Sequence, residues 1–330
     1  MSTRSPSYAS TRGVSDVAKR DLLSIDDLSR ADVELILDTA ESFLPVLKRD
    51  IKKVPTLRGR TIINMFYESS TRTLTSFELA AKRLSADTMN IKAAGSAVDK
   101  GESLKDTILT LSAYSPDIIV MRHPQIGAGR LASRYTEASV INAGDGKYQH
   151  PSQALLDVFA LRQAIGKNLE GLSVWIVGDI LHSRVARSDI GAFQMLGMKV
   201  TLAGPPPLMP RDIETLGVEV EYDLSKLGEA DVVYLLRMQM ERMQAGANFV
   251  PSLREYAALY GMTLERLRPG QKVMHPGPIN RGVEISSAVA DHPDTLILEQ
   301  VEAGIAVRMA ILYRTIVGYD ERQPGERGTA

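Results

Sequence analysis

Thr61-Ile62-Ile63-Asn64-Met65-Phe66-Tyr67-Glu68-Ser69-Ser70-Thr71-Arg72-Thr73 changes character midway. Residues 61–67 are almost continuously apolar, which predicts a strand buried on both faces. A short polar stretch follows, and from Thr71 the pattern predicts a helix to about residue 84. Similar strand patterns recur at 117–121 and 139–142, then at 173–177, 199–203, 219–222, 231–236 and 271–274. Helical patterns lie among them. Ser29-Arg30-Ala31-Asp32 reads as a capping box before Val33, Leu35, Ile36 and Leu37. Pro151 suits the first turn of a helix reaching about residue 165. A long last helix is expected over 299–317, with apolar Val301, Ile305, Val307, Met309, Ile311 and Leu312. Alternating strands and helices predict an α/β fold of two doubly wound domains, each a mainly parallel sheet flanked by helices. The helix after Pro151 would join them, and functional residues should face the interdomain cleft from the strands' carboxyl ends.

Composition agrees and removes several function classes. At about 150 residues per domain, 330 residues fit two domains. Apolar residues at 44% and charged residues at 24% provide for an ordinary core. Lys plus Arg total 39 against 40 for Asp plus Glu, a formal net charge of -1. No uncompensated basic field exists to attract nucleic acid or an anionic membrane, so any anion site must be local. The absence of cysteine excludes disulfides, thiolate catalysis and thiolate-ligated metals. No apolar run approaches the roughly 18 residues of a membrane span. Residues 1–18 and 320–330 are expected to be disordered tails. The Ser-, Thr- and Arg-rich, acid-free start can also be read as a transit peptide.

The chemistry-bearing segments sit mostly where strands end. Ser70, Thr71, Arg72 and Thr73 offer hydroxyls, helix-start amides and a guanidinium, a set suited to phosphate. An N-cap beside a solvated arginine is the plainer alternative. The Gly-x-x-x-x-Gly-Lys frame of a P-loop is missing. The polar loop from Gly95 to Glu102 can carry Ser96 and Lys100 to an anion, or be a solvated turn. Arg122 follows a strand in Met121-Arg122-His123-Pro124-Gln125. His150 and Gln153 open the helix at Pro151; a neutral His150 there can donate to a carbonyl oxygen, or simply cap or pack. Arg184 lies near a helix start after Val177-Gly178-Asp179, which lacks the glycines of a dinucleotide turn. Arg237 and Gln239 lie two apart after a strand, on one side. His275-Pro276-Gly277-Pro278 forms a stiff turn whose carbonyls can receive an amine or amide. No histidine pair has metal-site spacing, so no metal is expected. Each signal alone is weak. Together they place cations at strand ends in both halves of a neutral chain, which fits a transferase of two anionic substrates.

In this order the segments closely resemble the catalytic chains of the aspartate carbamoyltransferase family, from about Arg20 to Gly318. The matching pieces are 66–73, Lys100-Gly101-Glu102, 121–125, 142–153, Arg237-Met238-Gln239 and His275-Pro276-Gly277-Pro278. The Ser-Thr-Arg-Thr segment is shared with ornithine carbamoyltransferases. The two late segments point to the aspartate branch, because ornithine enzymes typically carry a cysteine in the late motif.

The resemblance implies a carbamoyl phosphate-binding domain over 19–151 plus 304–319 and an aspartate-binding domain over 152–303. Ser70, Thr71, Arg72, Thr73 and Arg122 would bind the phosphate. Thr73, Arg122 and His150 would hold the carbamoyl oxygen, and Gln153 its amino group, with carbonyls around Gly277 and Pro278. Arg184, Arg237 and Gln239 would bind the aspartate carboxylates. Ser96 and Lys100 would reach in from a neighbouring subunit of a homotrimer. Arg72, Thr73, Lys100, Arg122 and His150 would be catalytic, with Lys100 also near aspartate. Well-studied bacterial members carry Leu at the position of Gly277; a site using only the backbone carbonyl tolerates the change. The resemblance implies a cytoplasmic enzyme of pyrimidine biosynthesis without a cofactor, and leaves a regulatory or dihydroorotase partner open. Its rivals are an ornithine or other amine acceptor, a nucleotide-dependent oxidoreductase, and a scaffold protein without activity.

Overall fold

Thr61–Phe66 forms strand β1, buried from Ile62 onward. It pairs in parallel with β2 (Asp87–Lys92) on one side and β3 (Ile118–His123) on the other. β4 (Ser139–Asp145) completes a parallel sheet of order β2-β1-β3-β4. Its helices are α1 (Arg30–Leu47), α2 (Thr71–Arg83), α3 (Leu104–Ser112) and α4 (Ala128–Ala132). The computed structural model describes residues 21–92, 101–239 and 252–318. The tails expected at both ends, and Ser96 and Lys100, lie outside the described residues.

After α5 (Pro151–Ile165), the chain forms a second parallel sheet of order β7-β6-β5-β8-β9. Its strands are β5 (Ser173–Val177), β6 (Lys199–Ala203), β7 (Glu219–Glu221), β8 (Val232–Leu235) and β9 (Lys272–Met274). The helices are α6 (Arg184–Met195), α7 (Leu253–Tyr260), α8 (Ser287–Ala290) and α9 (Ile297–Val317). Each sheet has a point where the strand order reverses, between β1 and β3 and between β5 and β8. Crevices form at such points. The segments after β1, β3, β5 and β8 therefore become the natural places for a ligand.

Most expected elements form. Ser29 and Asp32 make the capping box at α1, with Ser29 Oγ accepting from the Asp32 amide at 3.1 Å and Asp32 Oδ2 from the Ser29 amide at 2.9 Å. β2 was not expected, because Asp-Thr-Met-Asn-Ile-Lys alternates as an edge strand does. Across the ladder, Asn64 Nδ2 donates to Asn90 Oδ1 at 2.9 Å. β4 runs past residue 142 to Asp145. The Asn142 side chain supports the extension, donating to Leu23 O at 2.9 Å and Asp145 Oδ1 at 3.0 Å.

α5 and α9 carry the middle of the molecule. α5 is buried from Pro151 to Arg162, and α9 buries Val307, Met309, Ala310, Ile311 and Leu312. α1, α2 and α5 all pack on α9, so the last helix returns to the first sheet. One apolar cluster runs from α1 and α2 through α5 and α9 to the second sheet, with Phe77, Phe159 and Phe193 inside it. Each fully buried side chain of this kind contributes about 1.5–3 kcal/mol. That rigid spine holds polar residues at the start of α5 and along α9 in fixed positions. Among the described residues, no helix is long and apolar enough to cross a membrane.

Candidate active site

Ser70 caps α2 with its backbone but makes no side-chain capping bond. The first-turn amides of α2 are thus left for another acceptor, as helix starts provide. Thr71 and Arg72 are exposed there, whereas Thr73 is buried. From the neighbouring strand end, Arg122 Nη1 donates to Ser70 Oγ at 3.2 Å and to Ala143 O at 3.5 Å. The expected phosphate cluster of Ser70, Thr71, Arg72, Thr73 and Arg122 is therefore contiguous.

Glu68 joins this cluster to the second sheet. Its Oε2 accepts from Arg122 Nε at 3.2 Å and from Arg184 Nη2 at 2.5 Å. Arg184 opens α6 and is only 3% exposed, and its Nη1 has no hydrogen-bond partner among the described residues. A buried guanidinium nitrogen without a partner is costly unless a ligand supplies an acceptor. Gly144, at φ 117°, admits this arginine: a Cβ there would lie 2.8 Å from Arg184 Nη1. Sequence reasoning quoted Glu68 inside the β1–α2 segment but gave it no role; its place between two strand ends was the available signal.

Arg72 also reaches across. Its guanidinium rests against Gly277, at φ 63°, where a Cβ would lie 3.0 Å from Arg72 Cζ. Partial loss of solvent around its guanidinium, and then the charge of Arg237, push the Arg72 pKa down. Arg237 follows β8, and the Gln239 amide donates to Asp179 Oδ2 at 3.3 Å. Asp179 also accepts from the ring of His182, whose Nδ1 lies 2.8 Å from Oδ1. Among the described residues, no hydrogen bond joins the Gln239 side chain to the arginines. The 275–278 turn is held from within: the Gly277 amide donates to His275 Nδ1 at 2.8 Å, and the Gly277–Pro278 peptide is cis.

His150 caps α5 and is 3% exposed. Its amide donates to Ser188 Oγ at 2.7 Å, pinning α5 to α6. Burial, then Arg122, Arg308 and Arg184, push its ring pKa well below the usual value. The imidazole is therefore neutral near pH 7, the form that donates through one nitrogen without carrying charge. Gln153, one turn on, directs its side-chain amide at the buried Asp157, with Nε2 at 3.0 and 3.2 Å from the two carboxylate oxygens. Asp157 and Arg308 had no role in the sequence reading.

The structure thus draws Arg72, Arg122, Arg184 and Arg237 from both sheets toward one cleft, with Glu68 bridging two of them. Such a site can hold two anions side by side and offer a neutral donor, His150, to a carbonyl oxygen. It has no placed nucleophile among the residues that sequence reasoning selected.

Comparison with known proteins agrees with this geometry. Residues 20–163 match the family description "Aspartate/ornithine carbamoyltransferase, carbamoyl-P binding domain" and residues 170–315 match "Aspartate/ornithine carbamoyltransferase, Asp/Orn binding domain". The aspartate carbamoyltransferase catalytic subunit of Pelotomaculum thermopropionicum is 56% identical over 298 residues, spanning 89% of this chain and 96% of its own. That of Syntrophotalea carbinolica is 57% identical over 296 residues, spanning 88% and 94%. Among solved structures, aspartate transcarbamoylase from Trypanosoma cruzi with carbamoyl phosphate and aspartate superposes at TM-score 0.80 and 31% identity, over 89% of this chain and 96% of that one. The catalytic subunit of the M. jannaschii enzyme gives 0.79 and 35%, over 90% and 98%. The chain belongs to the aspartate/ornithine carbamoyltransferase family, in the branch of the aspartate carbamoyltransferase catalytic subunits.

Proposed function

We propose that this chain transfers the carbamoyl group of carbamoyl phosphate to the α-amine of L-aspartate, giving N-carbamoyl-L-aspartate and phosphate. The observation that carries this reading is the convergence of Arg72, Arg122, Arg184 and Arg237 on one cleft with Glu68 between two of them. Both substrates are anions, and this charge arrangement suits a phosphate on one side and two carboxylates on the other. A second ammonium, as on ornithine, would be repelled by Arg184 and Arg237.

The amine nitrogen attacks the carbamoyl carbon and a tetrahedral intermediate forms. The bond from that carbon to the phosphate oxygen then breaks, and the amine proton leaves with the phosphate. Ser70, Thr71, Arg72, Thr73 and Arg122 hold the phosphate. Thr73, Arg122 and His150 take the carbonyl oxygen as its charge grows. Gln153, with the carbonyls of Gly277 and Pro278, takes the carbamoyl amino group, and Arg184, Arg237 and Gln239 hold aspartate. Holding two reactants in line supplies about 7–11 kcal/mol of the barrier. One strong oxyanion donor adds about 2.7–4 kcal/mol. No covalent intermediate is needed.

The two domains of this reading are 19–151 with 304–319, and 152–303. Ser96 and Lys100 enter from the neighbouring subunit of a homotrimer in the cytoplasm, and the product feeds pyrimidine synthesis. Phosphate release on mixing the protein with carbamoyl phosphate and aspartate tests the activity, and light scattering tests the trimer. No aspartate-dependent phosphate, or a monomer that is fully active, would contradict the respective part.

A further inference from the structure

We propose that Asp157 is a positioning residue for carbamoyl transfer: its carboxylate fixes which end of the Gln153 amide faces the carbamoyl amino group. This rests on the reading of the reaction given above.

Asp157 is fully buried on α5, one turn beyond Gln153. Every hydrogen bond at its carboxylate is one it accepts. Gln153 Nε2 lies 3.0 Å from Oδ1 and 3.2 Å from Oδ2. Gln300 Nε2 donates to Oδ1 at 2.6 Å, and the Tyr234 hydroxyl to Oδ2 at 2.7 Å. A carboxylate can only accept, so it selects the NH2 end of a neighbouring amide. Gln153 Oε1 is left over, with no hydrogen bond to any described residue. The carbamoyl amino group is a donor only, and Oε1 is its complement. A glutamine turned the other way would set NH2 against NH2.

The same carboxylate reaches the opposite wall. Gln300 donates to Asp157 with Nε2 and accepts the His275 amide with Oε1 at 2.9 Å. His275 begins the turn that carries Gly277 and Pro278. One buried charge therefore orients both groups expected to receive the carbamoyl amino group.

The charged and titratable groups acting on Asp157 are Asp189 from α6, Tyr234 from β8 and Arg308 from α9. Among the described residues, Asp189, beside Asp157, has no hydrogen bond of normal geometry at either oxygen. Burial and the charge of Asp157 push it well up, so Asp189 is the neutral member of the pair. Asp157 keeps the charge because its donors and Arg308 favour it, although burial raises it to about 7. Below that pH it gains a proton, can donate to Gln153 Oε1, and loses its selection of the amide's orientation.

Steady-state kinetics of Asp157→Leu and Asp157→Asn test this, with N-(phosphonacetyl)-L-aspartate as the probe. That inhibitor has the phosphonate, carbonyl and aspartate parts but no carbamoyl amino group. Asp157→Leu is expected to lower kcat/KM for carbamoyl phosphate by about 10- to 100-fold while inhibition by the probe changes by less than about threefold. Asp157→Asn can keep an acceptor oxygen toward Gln153 and Gln300, because the Tyr234 hydroxyl can turn to accept. It is expected to rescue most of the loss and to lack the fall in kcat/KM expected of the parent as pH drops through about 7. Equal losses toward substrate and probe, or an Asp157→Asn profile identical to the parent's, would overturn the proposal. If Asp157→Leu does not fold, the Asp157→Asn profile decides. A parent protein with no aspartate-dependent phosphate release would instead overturn the reaction itself.

Discussion

Arg72→Ala takes away a cation that the fold holds at a cost. Among the described residues Arg72 has no hydrogen bond or ion pair, and partial desolvation with the charge of Arg237 disfavours its proton. Its guanidinium leans on a glycine of the other sheet unit rather than on an acid. Removing it should leave the melting temperature unchanged or slightly raised, since a repulsion is relieved and no partner among the described residues is orphaned. The transition state should suffer instead. The leaving phosphate carries about −1.5 to −2 charge, and a strong donor to a developing anion contributes about 2.7–4 kcal/mol. At about 1.4 kcal/mol per tenfold, that is a loss of about 10²–10³ in kcat. The assay is phosphate release at saturating carbamoyl phosphate and aspartate, beside a melting curve for each protein. Near-normal turnover would refute the assignment. So would a turnover loss accompanied by a large fall in melting temperature, because Arg72 would then be structural.

Three further outcomes follow from the same geometry. Glu68→Gln replaces the shared charge between Arg122 and Arg184 with an amide and should cost about 1.5–3 kcal/mol in kcat/KM for aspartate; an unchanged KM would argue against the bridge. His150→Ala should lower kcat by about 10²–10³. The folded ring resists protonation while the unfolded one takes a proton near pH 6.5, so the parent loses stability as pH falls below that value. Urea midpoints at pH 5 and 7.5 should differ less in His150→Ala than in the parent. Gly277→Ala forces a side chain to φ 63° and against Arg72. It should cost about 1–2 kcal/mol of stability and lower kcat more than urea midpoints alone account for.

Much of this was legible because strand ends are short and punctuated. β1 and the α2 start could be read from one change of character between Tyr67 and Thr71, and Arg122 near the end of β3 and Arg237 just past β8 close apolar runs. Ser29 and Asp32 announce α1 by a local hydrogen-bonding pattern that needs no tertiary contact. β2 escaped because an edge strand need not be apolar on both faces, and its pairing with β1 is a long-range fact. Glu68 and Asp157 escaped for a related reason. In sequence each is an acid in an ordinary place; only the fold brings Arg184 to one, and Tyr234 and Gln300 to the other. The neutrality of His150 likewise depends on its burial and then on arginines from three separate elements. The departure at Gly277 also gains a meaning: the small residue lets the Arg72 guanidinium lie against the turn, a contact that no spacing rule could foresee.

If one arginine-lined cleft holds an anionic acceptor beside carbamoyl phosphate, the enzyme should choose between competing amines by their charge. Competition tests it most directly: equimolar L-aspartate and L-ornithine are offered with limiting carbamoyl phosphate, and the products are resolved by mass spectrometry. N-carbamoyl-L-aspartate should be essentially the sole carbamoylated product, with selectivity collapsing when Arg184 and Arg237 are replaced. Citrulline as the major product, or no carbamoylated product from either amine, would contradict it.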